Sequence, residues 1–191
     1  MNKSFRLAGR AIAGAALAAV AALTITSATP AALARTAPAS TAPCATSGLE
    51  VWLGLGVGGG AAGSIYYPVE FTNVTGHTCH LFGFPGVSAI YNGHQAGSPA
   101  GWGTSPFFPK RTVTLAPGAT AHTVLRIANV TSLPAGKCGP VTATGLRVYP
   151  PSQFSATDIP FSFRACSVKG TIFMNVQYIQ PGIGVPGHPE L

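Results

Sequence analysis

Beyond Pro43, apolar residues recur at every second position in short runs. Val51, Leu53 and Leu55 alternate with Glu50 and Trp52, and Tyr67, Val69 and Phe71 alternate with Pro68, Glu70 and Thr72. Ile172, Met174, Val176 and Tyr178 alternate with Phe173, Asn175 and Gln177. The longest stretch free of Gly and Pro, Ala119–Leu133, places Ala121, Thr123, Leu125 and Ile127 on one face and Thr120, His122 and Arg126 largely on the other. A period of two is the signature of a strand with one buried face. The pattern predicts strands over 49–56, 64–73, 78–82, 86–91, 111–115, 119–129, 141–149, 157–163 and 170–179. Frequent Gly and Pro leave no helical period. Pro117-Gly118 marks a turn, and Pro68 inside a strand predicts a local edge or bulge. Short, regularly spaced strands with one apolar face must bury it sheet on sheet. The expected fold is therefore all-β, an immunoglobulin-like β-sandwich of seven to nine strands without the tryptophan–disulfide signature of antibody domains.

The N-terminus follows a different pattern. Lys3, Arg6 and Arg10 precede an apolar run from Ala11 to Leu23, and Ala32-Leu33-Ala34 offers the small-x-small site that a signal peptidase reads. Residues 1–34 are expected to be a signal peptide for the general secretory route, with cleavage after Ala34 or, second, Ala28. A flexible Ala/Thr/Pro leader spans 35–43, the sandwich domain 44–182 and a C-terminal tail 183–191. Cys44 lies too far past the apolar run, and directly after Pro43, to be a lipid-attachment cysteine. Export makes the four cysteines, Cys44, Cys79, Cys138 and Cys166, disulfide partners. Three connectivities are possible. Pairing sequence neighbours, Cys44–Cys79 and Cys138–Cys166, is favoured because each bond brackets a compact set of strands. Each is expected to contribute about 3–4 kcal/mol by restricting the unfolded chain. No Cys-x-x-Cys spacing points to zinc.

Charge narrows the partners. The chain has 11 Lys+Arg against 4 Asp+Glu, and charged residues make up only 8%. Signal cleavage removes three cations and takes the net charge from +7 to +4. Only Lys110 and Arg111 adjoin in sequence, so no clustered basic face suits a nucleic acid. Attraction to anionic wall polymers through net charge is still open. The C-terminal residues are not apolar, so no membrane attachment is expected after cleavage.

Several motifs have a plainer alternative. Gly54-x-Gly56-x-x-Gly59 matches the dinucleotide fingerprint in letters, but no helix pattern or acidic residue follows at the required distance, so a hairpin connection is expected and no cofactor. His77, Cys79, His80 and His94 cluster in sequence, yet a disulfide at Cys79 removes the thiolate a metal would need, and no metal site is expected. Ser64, His122 and Glu70 could supply a nucleophile, base and acid, but no elbow motif supports them. Glu50 and Glu70 as a glycosidase pair are equally unsupported. Asn73-Val74-Thr75 and Asn129-Val130-Thr131 read as glycosylation sequons or, in a bacterial-type chain, as Asn/Thr turns that end strands. The connection 92–109 is long, rich in Gly, Ser and Pro, and carries Trp102, Phe107 and Phe108 close to Tyr91. These four rings are the candidate ligand-binding residues. They would either form an aromatic platform for a sugar or protein, or fold back and cap the sandwich.

Some segments carry a family resemblance. Ala61-Ala62-Gly63-Ser64 leading to Tyr66, then Phe71-Thr72-Asn73, Thr75-Gly76, Thr78-Cys79, Leu81, Gly83, Pro85-Gly86-Val87 and Gly93 are followed by Leu115, Pro117-Gly118, Ala121, Cys138, Cys166 and Pro181-Gly182. This set resembles the family known as domain of unknown function 4232, found in secreted proteins and lipoproteins of actinobacterial type. It spans Cys44 to Gly182 and is most specific from Asn73 to Val87. The resemblance implies a secreted β-sandwich with two disulfides and brings no catalytic residues. The expected role is a non-catalytic module at the cell envelope, free or wall-associated, that binds a wall polymer, a carbohydrate or a protein. An extracellular hydrolase and a secreted protease inhibitor are the alternatives.

Overall fold

The structure, a computed structural model, describes residues 41–55, 60–61 and 63–184. The expected signal peptide, the leader up to residue 40 and residues 185–191 of the expected tail lie outside the described residues. In chain order the described strands are β1 (Leu49–Leu53), β2 (Gly60–Ala61), β3 (Ser64–Asn73), β4 (Cys79–Phe82), β5 (Gly86–Tyr91), β6 (His94–Ala96) and β7 (Gly101–Trp102). They continue with β8 (Thr112–Leu115), β9 (Thr120–Ala128), β10 (Pro140–Tyr149), β11 (Thr157–Cys166), β12 (Met174–Val176) and β13 (Gln180–Pro181). Eight of these have four or more residues, within the expected range; the rest are short additions. One short helix, α1 (Ala135–Cys138), is bounded by Pro134 and a left-handed Gly139.

One sheet runs β1-β3-β9-β12-β7, with β2 added to β3 and β13 to β9. The other runs β11-β10-β5-β6, and β4 pairs with β8 in a separate two-stranded ladder. The fold is a sandwich of immunoglobulin-like type. Alternation accounts for the packing. In β3, Val69 and Phe71 are fully buried in the core, where Leu125, Val87, Leu146, Val148, Phe173 and Met174 meet them. The expected strand over 170–179 shortens to Met174–Val176 because the chain leaves the ladder on both sides. Gly170 turns with φ of 92°, and Ile179 N–H donates to Gly83 instead of continuing along β9.

The connection 92–109 is more ordered than its composition suggests. Asn92 and Gly93 both have positive φ, as a two-residue hairpin turn requires, and β6 folds back on β5. Pro68 lies at a local edge, as expected. Its carbonyl accepts from Gly54 N–H on the side where β1 has ended at Leu53. Its missing N–H faces the same side and cannot return that bond, so the β1–β3 ladder ends there.

Both disulfides join sequence neighbours. Cys44–Cys79 ties the entry of the domain to β4, and Cys138–Cys166 ties α1 to the end of β11. Asn73 does similar work with hydrogen bonds. It is fully buried; its Oδ1 accepts from Thr75 N–H and Oγ1, and its Nδ2 donates to the carbonyls of His77 and Leu115. Asn129 makes the same bonds to Thr131 but is exposed and donates to no strand. Both sequons are thus Asn/Thr turns, and the Asn73 amide is fully engaged inside the domain.

This contrast makes a quantitative prediction. Asn73→Ala strands two carbonyls and should cost about 2–4 kcal/mol, whereas Asn129→Ala should cost no more than about 1 kcal/mol. Urea denaturation of the two variants beside the parent measures the difference.

Candidate functional site

The aromatic residues of the long connection separate into two groups. Phe108 is 2% exposed and folds inward, while Trp102 and Phe107 are 72% and 66% exposed. Tyr91 ends β5, half-buried against the core and paired in register with His94. The structure therefore does not gather the four rings into one surface. It places Trp102 in a stack with two rings absent from the sequence-based set. Trp102 stacks on Phe84, with ring centroids 5.2 Å apart and planes at 5°, and Phe84 stacks on Tyr178 at 3.9 Å. Phe84 follows β4 and Tyr178 follows β12, so three distant segments build the stack.

The backbone around Trp102 explains how so exposed a ring stays in place. Gly101 and Trp102 pair in parallel with Asn175 and Val176, and Gly103 N–H donates to Val176 at 2.9 Å. The flanking glycines allow a close approach. A Cβ on Gly101 would lie 2.7 Å from Asn175 Nδ2, and one on Gly103 2.8 Å from Gln177 Nε2. The Gly-Trp-Gly run lets a two-residue strand lie flat against two amide side chains, and the pleat sends the indole to the opposite face. Lys110 lies nearby in sequence, with its Nζ 5.0 Å from the ring centroid of the partly exposed Phe82.

The candidate acid–base groups are arranged differently. Glu70 and His122 are direct cross-strand partners in the β3–β9 ladder, on its outer face. Ser64 sits six residues up β3, roughly 20 Å away at the rise of a strand, so no Ser–His–acid set forms. After β13 the chain turns back over the pair. His122 Nδ1 bonds to the Gly182 carbonyl at 2.9 Å, and Gly184 N–H donates to Glu70 Oε1 at 2.9 Å. A Cβ on Gly184 would lie 2.5 Å from Pro68 Cβ and 2.9 Å from the His122 ring, so this strap requires glycine where it crosses. Glu70 is 0% exposed beneath it. Among the described residues Glu70 Oε2 and His122 Nε2 have no hydrogen-bond partner, and both atoms are buried. Glu50 and Glu70 do not face one cleft either: Glu50 is exposed on β1 opposite Thr72.

The metal-like histidines do not converge. Cys79 is disulfide-bonded, and His80 Nδ1 bonds to the Thr41 carbonyl at 2.7 Å. Among the described residues no three His, Cys, Asp or Glu side chains are grouped to hold an ion. Of the dinucleotide-like glycines, Gly54 packs on Pro68, Gly56 and Gly59 lie outside the described residues, and β2 hairpins directly into β3.

Burial pushes the Glu70 carboxyl up from 4.5 to about 7, more strongly than the Gly184 N–H lowers it. The folded state thus holds this proton more tightly than the unfolded chain. The associated stability is fully present below pH 4.5 and is lost as pH rises through 7, by about 3 kcal/mol. Glu70→Gln keeps an acceptor for Gly184 and should flatten this part of the stability–pH profile. Urea midpoints taken between pH 4 and 8 test it; an unchanged slope in the variant would show that another group carries the dependence.

No curated protein and no solved structure matches the chain. A family model does, over residues 44–178, which include both disulfides, the Trp102 stack and the Glu70–His122 pair. By that match the chain belongs to DUF4232, a domain of unknown function.

Proposed function

We propose that the domain is a secreted, non-catalytic binding module of the cell envelope and that it holds a wall carbohydrate on the Trp102 platform. One observation carries this reading: an indole 72% exposed is nevertheless fixed by parallel stacking on Phe84. A free aromatic side chain loses rotamer entropy when it binds, and one already held in place loses little. The apolar C–H face of a sugar ring suits a flat, exposed aromatic surface. Phe107 adds a second exposed ring on the same connection, Phe108 anchors that connection inward, and Tyr91 supports the hairpin behind it.

The surrounding chemistry agrees with export. Two disulfides suit an oxidising compartment. No helix among the described residues is long and apolar enough to cross a membrane. The net positive charge favours retention near anionic wall polymers.

Purified protein should be retained by insoluble cell-wall polysaccharide, and Trp102→Ala should weaken retention about tenfold or more. A stacked ring contributes roughly 1–3 kcal/mol to such surfaces by analogy with other aromatic platforms. Thermal unfolding of the variant should shift little, because Trp102 is mostly in solvent. Equal retention of parent and variant would remove Trp102 from the binding surface.

A further inference from the structure

A cleft of about 630 Å³ opens where the end of β3 faces β11, away from the Trp102 stack and the Glu70 strap. Its apolar walls are Tyr67 and Ile65 of β3, Ile127 of β9, and Phe161 and Phe163 of β11. The volume lies in the range that holds a small organic molecule. The aromatic wall is set by a local irregularity in the sheet. Ala143 pairs with Phe163, but Gly145 pairs with Pro160, so Phe161 and Ser162 together oppose the single residue Thr144. This bulge falls beside Pro160, which has no N–H to offer, and opposite Gly145, where a Cβ would lie 2.7 Å from the Ile159 carbonyl. Beyond it Phe161 and Phe163 stack on each other at 5.1 Å, and Tyr67 meets Phe161 edge-on at 5.0 Å. Bulges commonly re-aim side chains at binding sites.

One polar group distinguishes the cleft from a simple packing gap. Arg164 stands at the rim, exposed, with one bond at 3.3 Å to Thr142 Oγ1. Among the described residues no carboxylate pairs with it: Asp158 is bound by Arg147 at 2.8 Å. Glu50 and Glu70 belong to β1 and the strap-covered part of β3.

We propose that this cleft binds a small amphiphile with one apolar tail and an anionic head. The tail lies between Tyr67 and the Phe161–Phe163 pair, and the head meets Arg164. A carboxylate and a phosphate head both meet this description, and both are tested. The site is independent of the carbohydrate platform and would stand if that reading failed.

The test uses the disulfide-bonded protein, titrated below micelle-forming concentrations with decanoate, decyl phosphate and, as a neutral control, decan-1-ol. Backbone amide shifts are followed by NMR. Saturable shifts are expected at Ser64–Tyr67 and Phe161–Arg164, with the anionic probes binding more tightly than the alcohol. Arg164→Gln, at an exposed position, should weaken the anions about fivefold and leave the alcohol unchanged. Phe161→Ala should weaken all three probes. Tighter binding of one anion over the other assigns the head group. The proposal is overturned if no saturable shifts appear in these segments, if the shifts centre on Phe84 and Trp102, or if Arg164→Gln leaves decanoate affinity unchanged.

Discussion

The ladder between β3 and β9 is the constraint on which the rest of the domain depends. Its nine successive pairs run from Ser64↔Ala128 to Thr72↔Thr120. Strand side chains alternate, so this one register settles two surfaces together. Inward it sets Val69 and Phe71 beside Leu125 in the core; outward it sets Pro68, Glu70 and His122 under the returning strap. A slip of one residue would turn Glu70 into the apolar interior and Phe71 outward. The same ladder ends at Ser64, where the aromatic cleft begins, so the core, the strap and the cleft all have positions fixed by one set of backbone bonds.

The edges are held by few groups, each of which does more than one thing. The two disulfides are local staples rather than bolts between the sheets. Cys44–Cys79 sits beside reciprocal backbone bonds, Cys44 N–H to the His80 carbonyl and His80 N–H to that of Ala42. Asn73 closes the turn after β3 and reaches β8 through the Leu115 carbonyl. Ion pairing contributes little: the Arg147–Asp158 pair is bidentate but exposed, and water screens it. A chain with four acidic residues relies instead on apolar burial, sulfur crosslinks and satisfied amides.

Much of this was legible in the amino-acid pattern. Period-two alternation located the long strands to within a few residues, because in a half-buried strand the burial pattern is itself the alternation. Neighbour pairing of the cysteines was legible for a related reason, since each bond closes a compact segment. The long connection was harder to read. Asn92-Gly93 is a strong hairpin signal, and it went unused because the surrounding Gly, Ser and Pro read as loop. The stack that holds Trp102 could not be inferred: Phe84 and Tyr178 are far from it in sequence, and no local rule links them. The strap was equally hidden. Gly182 and Gly184 look like ordinary turn residues until the fold brings them over Pro68 and His122.

The buried carboxyl of Glu70 shows how the strap and the ladder depend on each other. Placing a carboxyl at zero exposure is unfavourable unless its hydrogen bonds are met or its charge is removed. Here the strap meets one oxygen through Gly184, and burial holds the proton on the group up to near neutral pH. The strap in turn reaches its position only because Gly184 has no side chain and because His122, next to Glu70 across the ladder, binds the Gly182 carbonyl. The pair is thus a clasp for the C-terminal segment. Two residue types usually read as catalytic are used here to close the outer face of a sheet, and the surfaces left open to ligands are those built from rings.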